Sequence, residues 1–397
     1  AMLAKTSVVA MPVLTLLYAW WKRGTVTVQD AVRAAPLFLI SIVLGIITVQ
    51  YQFGRAIGGQ AMFVGGLDSR IAMTGMATLF YLATIVWPLH LLPIYPRWDV
   101  DPPKAWQFVP WLLIGGGAWW LWKHRETNWG RNAIFAFGFF LLMIAPVLGF
   151  IDISFMRVAW VADHFLYLPM IGPLALIVAA LTTWLEKQNE RERTAFTAVA
   201  ACAMLFLGLN AFFHAITFSD EDHLWEYTLA HNSDAWAAHN RLGGRKLKRG
   251  DIDGAYQHFQ NAVRLRPDLP ETQTNLAIAL TKKDRIDEAI EAFRAAAQAA
   301  PDMLTTRVNL ADACSQAGRY AEARTVYEEL IELLPSNPLV LSNYGIVLFK
   351  LGEKEKAIAQ FKRALELDPN LFEARESLKV ALGEADAKPA SPPAPKE

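Results

Sequence analysis

Apolar and polar residues follow two different patterns along this chain, and the pattern changes just past its midpoint. Six long apolar runs come first, at residues 3–21, 36–53, 106–122, 133–150, 166–185 and 195–215. Each approaches the roughly 20 residues with which an α-helix crosses about 30 Å of hydrocarbon. A seventh run, 71–92, carries Pro88, His90 and Pro93 near its end. Past residue 222 the chain becomes charged and Ala-rich, the composition of packed amphipathic helices. The pattern predicts an all-α protein of two kinds of helix.

Charges between the apolar runs set a topology. Lys22, Arg23 and Arg33 fill one connection, Lys123, Arg125 and Arg131 another, and Lys187, Arg191 and Arg193 a third. Positive connections stay on the cytoplasmic side of a membrane. Six crossings put all three there and everything beyond residue 216 outside the cytoplasm. A full seventh crossing by 71–92 would break that agreement. This run is therefore read as an interfacial or re-entrant helix on the outer face, covered by protein where its backbone leaves the helix; a plain seventh span is the other reading. A tag in the 54–70 loop found in the cytoplasm would sink the six-crossing arrangement.

In the second half Pro267, Pro301, Pro335 and Pro369 stand 34 residues apart. Ala255/Phe259, Ala289/Phe293, Ala323/Tyr327 and Ala357/Phe361 keep the same step, as do Leu242-Gly243, Leu276-Ala277, Leu310-Ala311 and Tyr344-Gly345. This is the pattern of the tetratricopeptide repeat (TPR), a helical hairpin whose small residues let two helices approach while an aromatic plugs the gap to the next unit. Trp225, 34 residues before Phe259, marks a half unit that couples the last apolar run to the first full repeat. A final helix, 371–382, repeats the leucine register at Leu378 and closes the exposed end. The Pro/Ala/Lys-rich tail is expected to be disordered.

The expected organisation is thus a polytopic transmembrane helix bundle over 1–216 followed by a TPR α-solenoid. A connector and half repeat occupy 217–234, four repeats 235–370, a capping helix 371–383 and the tail 384–397. The opening Ala1-Met2-Leu3-Ala4-Lys5 runs directly into an apolar stretch, with no cleavage site after a short apolar core. It reads as internal to a longer protein; a start at Met2 behind one added residue is the alternative.

Acidic and basic side chains are equal in number, 38 each, so charge gives no reason to expect nucleic acid as a partner. Cys202 falls in an apolar run and Cys314 on a repeat helix; they are not expected to pair, and neither has a His or Cys at metal-ligand spacing. One further spacing points to a ligand. Asn275, Asn309 and Asn343 recur every 34 residues on the first helix of successive repeats, the side that lines the inner groove. An amide offers a donor and an acceptor together, matching a peptide backbone, so a ladder of them can hold an extended polypeptide whatever its side chains. A solvated or locally hydrogen-bonded Asn is the alternative. On the peptide reading, changing all three to Ala weakens binding and leaves thermal stability nearly intact.

The apolar half carries a resemblance. Around its fifth run the chain reads Ala162-Asp163-His164-Phe165-Leu166-Tyr167-Leu168-Pro169-Met170-Ile171-Gly172. This is similar to the (D/E)RYxYLPxIG segment of membrane proteins that join a GT-C-type bundle to C-terminal TPRs, among them the transmembrane-and-TPR O-mannosyltransferases and their bacterial relatives. Leu3-Ala4-Lys5 resembles that family's (S/A/C)K element, and Val86-Trp87-Pro88 with Ile94-Tyr95-Pro96 its LWPxxLxxFYP segment. Two departures stand out. The family's Arg after the acidic residue is His164 here and its Tyr is Phe165, so a fixed positive charge becomes a titratable one. The acidic catalytic loop that follows the first span in GT-C enzymes has no counterpart in this chain, which looks as if it lacks the N-terminal spans; no catalytic residue is assigned.

The resemblance implies transfer of a sugar from a polyprenyl-phosphate carrier to an acceptor hydroxyl, with or without a divalent metal. Such a reaction needs a carboxylate to take the hydroxyl proton and cationic or hydrogen-bonding groups at the leaving phosphate. Outer-face candidates for the donor phosphate are Lys5, Arg97 in the 93–104 loop, Arg157, Asp163, His164 and Tyr167. Each has a plainer reading. Arg97 and Arg157 also suit lipid-headgroup anchors, Asp163 a helix cap, and Tyr167 with Trp160 an aromatic belt; Lys5 depends on whatever precedes it. Two functions follow: the C-terminal part of a protein glycosyltransferase whose TPRs present the acceptor polypeptide, or a non-enzymatic membrane TPR scaffold for envelope assembly. A bacterial inner membrane with extracytoplasmic repeats is the expected setting, and an endoplasmic reticulum membrane with luminal repeats obeys the same topology.

Overall fold

The computed structural model describes residues 9–52, 65–89 and 91–383. Lys5, His90, the start of the first apolar run, most of the 54–70 loop and the tail from residue 384 lie outside the described residues. Among those described, the chain is all-α, with seventeen α-helices, short 3-10 turns and no strand. Its contacts divide it into two units, Ala1–Ser233 and Asp234–Glu397.

The first unit contains α1 (Met11–Arg23), α2 (Val28–Tyr51), α3 (Leu67–Val86), α4 (Val109–Lys123), α5 (Asn128–Ile144), α6 (Ile171–Leu185), α7 (Glu190–Thr217) and α8 (Glu221–His231). Local chemistry sets several of the ends. Thr27 with Asp30, and Asn189 with Glu192, form reciprocal capping boxes that satisfy the first N–H groups of α2 and α7. The run expected to be helical from residue 166 begins its α-helix only at Ile171. Pro169 has no N–H to donate and disfavours helix in the residue before it, so residues 163–170 turn in short steps instead. Pro146 likewise ends α5, and Ala145–Val147 continue as a 3-10 turn.

By length and composition α2, α3, α5 with its 3-10 turn, and α7 can each cross a membrane. Residues 71–86 of the run 71–92 belong to the continuous helix α3, which breaks at Trp87. In α7 no part of the apolar window is buried.

The second unit pairs α9 (Trp236–Lys248) with α10 (Ile252–Leu265), α11 (Pro270–Lys282) with α12 (Ile286–Ala299), α13 (Leu304–Gln316) with α14 (Tyr320–Leu333), and α15 (Pro338–Lys350) with α16 (Lys354–Leu367). A last helix, α17 (Phe372–Leu382), follows, and its Leu378 packs onto the shared core. Ala255, Ala289, Ala323 and Ala357 are fully buried, as are Phe259, Phe293, Tyr327 and Phe361. At Gly243 and Gly345 an added Cβ would stand 2.6 Å from the ring of Phe259 and of Phe361. The small residue is there because the partner's aromatic ring occupies that space. Residues 250, 284, 318 and 352 hold the turn inside each hairpin in left-handed backbone; three are glycine and the fourth is Asp284, at φ 61°.

The half unit expected around Trp225 is α8. By contacts it belongs with the first unit, where the Asn232 amide just beyond it donates to the Ile94 carbonyl at 3.2 Å.

Candidate functional site

Two places carry the residues singled out from sequence: a non-helical layer packed along α3, and the first helices of the repeats.

In the first unit, two irregular segments lie against α3. Ser69 Oγ donates to Asp101 Oδ1 at 3.3 Å. Arg70 pairs with Asp152 at 2.9 Å and also donates to the Gly149 carbonyl, and Thr74 Oγ1 donates to the Leu148 carbonyl at 2.9 Å. Two turns further on, Phe80 meets Tyr95 edge-on with ring centroids 4.8 Å apart. The fully buried Tyr81 accepts at its hydroxyl from the Ala162 N–H at 3.1 Å. Residues 92–103 thus run antiparallel to α3, with Tyr95 beside Phe80 and Asp101 beside Ser69.

Asp163 opens the 3-10 turn Asp163–Phe165 in this layer. The Tyr95 hydroxyl donates to its Oδ1 at 2.7 Å. Burial pushes the half-buried carboxyl above the usual carboxylate range; the Tyr95 hydrogen bond and the neighbouring His214 and His164 hold part of that rise back. The next α-helix starts only at Ile171, so Asp163 is not its cap. An aspartate with raised proton affinity, oriented by a tyrosine, has the chemistry of a proton acceptor.

The other candidates are spread around it. His164 is exposed, its ring 4.2 Å from that of Phe165 and 5.5 Å from that of Phe155. Tyr167 is exposed. Arg97 stacks its guanidinium over Trp160 at 4.2 Å and donates to the Met156 carbonyl. Arg157 is half-buried at the end of the 3-10 turn Ser154–Arg157. The structure therefore joins Asp163 to Tyr95 and sets His164 beside it, while Arg97 is engaged with Trp160 and Met156. Tyr95 and Tyr81 were not singled out as site residues. Tyr95 had a signal in the Ile94-Tyr95-Pro96 element; Tyr81, mid-helix in an apolar run, had none.

In the repeats, the three asparagines differ in exposure. Asn275 is half-buried and donates from its amide to Asn240 Oδ1 at 2.9 Å. Asn309 and Asn343 are buried. Asn343 Nδ2 donates to Asp312 Oδ1 at 2.9 Å, and the same carboxylate accepts from the Tyr327 hydroxyl. Asp312 stands where the second and fourth repeats carry Ile278 and Ile346, a substitution that periodicity alone does not flag. Within the first repeat His239 Nδ1 and His258 Nδ1 lie 3.0 Å apart, and burial together with His239 pushes His258 down to about 4. Cys202 and Cys314 are both free, and burial raises the Cys314 thiol to about 11. Among the described residues no group of three or more His, Cys, Asp or Glu gathers that could hold a metal ion.

A tetratricopeptide-repeat family model matches residues 268–336 and 302–370. The C-terminal region is a TPR array. Solved structures similar to it include residues 41 to the end of MamA from Desulfovibrio magneticus RS-1, at 19% identity over 38% of this chain and 84% of that one, TM-score 0.36. YrrB, described as a TPR protein with an unusual peptide-binding site, matches at 16% identity over 40% and 82%, TM-score 0.36. PilF of Pseudomonas aeruginosa matches at 22% over 38% and 69%, TM-score 0.35. No curated protein matches the chain.

Proposed function

We propose that this protein is an integral membrane protein that holds an extended polypeptide in its TPR array. The observation that carries this reading is the joining, in one chain, of four repeats in register to helices whose apolar sides are left uncovered, α7 above all. Surface of that kind on this scale needs lipid or another protein against it. Cations paired with tryptophan at helix ends support lipid: Lys22 sits 4.2 Å over Trp21, Lys123 3.7 Å over Trp119 and Arg125 5.0 Å over Trp122. Aromatic and basic residues in this pairing anchor helices at a membrane interface. The bacterial inner membrane, with repeats on its outer side, is the setting that the positive connections favour.

The polypeptide partner is proposed from the asparagine register. Asn275 is the member with surface to offer, while Asn343 is tied to Asp312, so replacing all three would also cost stability. The test uses the full chain in lipid nanodiscs and dodecapeptides selected on it from a random library. Asn275→Ala is expected to weaken the selected peptides about tenfold, the worth of one or two hydrogen bonds. Failure to enrich any peptide, or affinity that N275A does not move, discards the groove.

A second reading is the C-terminal part of a polyprenyl-phosphate-sugar-dependent protein glycosyltransferase, and the Asp163–Tyr95 pair favours it. Asp163 would take the acceptor's proton, and Arg97, Arg157, His164 and Tyr167 would stand near the donor phosphate. Asp163→Asn with normal expression is expected to abolish glycosylation in cells that depend on this chain; unchanged glycosylation leaves a non-enzymatic scaffold.

A further inference from the structure

Length and hydropathy put α3 among the spans, but its neighbours place it differently. We infer that residues 67–89 and 91–103 form the two arms of a re-entrant hairpin, in which α3 and the extended segment after it dip into one leaflet and return to the face they left. The hairpin rests on the membrane reading above and fixes its topology: six crossings, with the charged connections on one side.

Both ends of the hairpin meet. Ser69, in the first turn of α3, donates to Asp101, at the end of the returning segment. The same first turn is level with the start of α4, where Trp111 Nε1 donates to the Ile71 carbonyl at 2.7 Å, and with the end of α5, where Arg70 reaches Gly149. A chain segment that begins and ends beside the same helix termini makes no net crossing.

The depth of α3 agrees. Leu82, Ile85 and Val86 in its last turns line a small cleft with Phe137 of α5 and with Leu176 and Ile177 of α6. Phe137 is seven residues before the end of α5, about 10 Å along the axis at 1.5 Å per residue, whereas the 20 residues of α3 extend about 30 Å. The helix therefore slants through the outer half of the bundle. An apolar cavity of about 510 Å³ separates Thr78, Leu79 and Leu82 from Leu121 and Trp122 near the other end of α4. At that other end Trp21 Nε1 donates to Asn132 Oδ1 at 2.7 Å and Trp20 stacks on Trp122, which gathers Lys22, Lys123 and Arg131. The hairpin's Asp68, Arg70, Asp99 and Asp101, with Lys104 just beyond it, lie at the end where it meets α4's start, while Arg97 stands further along with its guanidinium over Trp160.

The returning backbone is also covered as a re-entrant segment requires. Phe80 packs on Tyr95 and Trp98, and the Trp98 carbonyl accepts from Trp160 Nε1 at 3.0 Å. Trp87 and Pro88 break the helix where the chain reverses.

The experiment places single cysteines at Asp68, Asp99, Glu126 and Lys187 in a C202S/C314S background. Sealed vesicles of known orientation are then treated with a membrane-impermeant maleimide before and after permeabilisation. Asp68→Cys and Asp99→Cys are expected to label from the same side, and Glu126→Cys and Lys187→Cys at least tenfold less until the membrane is opened. Labelling of positions 68 and 99 from opposite sides makes α3 a true span and overturns the hairpin while leaving the membrane reading intact. Equal labelling of all four in sealed vesicles removes the membrane reading and the hairpin with it. The unsubstituted chain supplies an independent readout: trypsin outside sealed vesicles is expected to cut at Lys104 and spare Lys22 and Arg33, and cutting at both places from that side makes α3 a span and overturns the hairpin.

Discussion

Phe293 in the second repeat and Phe206 on α7 are the same side chain put to opposite uses. Phe293 is fully buried against its own chain, while Phe206 keeps 56% of its surface exposed. In the repeats the rings in register, Phe259, Phe293, Tyr327 and Phe361, are all buried by their own chain, so folding and burial are one event. The bundle leaves much of its apolar surface for something else to cover. What it packs tightly is the core that α3 and α5 form with the irregular layer, where Tyr81, Phe140 and Ile144 are completely buried. One region is stabilised by its own contacts and the other needs its surroundings to complete its burial.

The strongest way to break this comparison is to truncate both rings. Phe293→Ala is expected to destabilise the array by about 3–5 kcal/mol, the cost of an aromatic removed from a closed core. Phe206→Ala is expected to change stability by no more than about 0.5 kcal/mol, as for a side chain without protein neighbours. Thermal unfolding of the full chain in nanodiscs, followed by helical circular dichroism, reads both. A large loss for Phe206→Ala would mean that α7 is packed against protein rather than lipid.

Reading the two regions from sequence succeeds unequally for the same reason. A TPR packs residues that recur at a fixed step, so Ala289 and Phe293 announce their roles by repetition, and the hairpins appear where the step puts them. The bundle's irregular layer depends on contacts such as Arg70 with Asp152 and Tyr81 with Ala162, about 80 residues apart, which no periodicity encodes. Hydropathy found the apolar runs but not their depth, because a slanting helix and a crossing one have the same composition. The site was legible in part. Asp163 stood out by its motif, and its partner Tyr95 only by lying in another. The asparagine step was visible at once, whereas the burial of Asn309 and Asn343, and the bond from Asn343 to Asp312, were not.

The smallest expected effect sharpens the comparison by giving the first repeat a titration of its own. His239 and His258 face each other across α9 and α10 with Nδ1 atoms 3.0 Å apart, so protonating both sets like charges in contact. Burial first, then His239 and Lys246, push His258 down from an ordinary 6.5 to about 4, with Asp251 pulling weakly the other way. Because the folded value lies below the unfolded one, the unfolded chain binds the extra proton between these limits. Stability from this group is complete above about pH 6.5 and is lost as pH falls toward 4. The ring is only partly shielded from solvent, which reduces the loss to about 1 kcal/mol. For a domain of this size that is a fall of about 2–4 °C in the unfolding midpoint of the repeats between pH 7 and pH 4. His258→Gln keeps a hydrogen-bonding side chain and cannot titrate, so its midpoint should fall less than wild type by that amount over the same interval. Parallel curves for the two proteins would show that the histidine pair does not couple to the folding of the array.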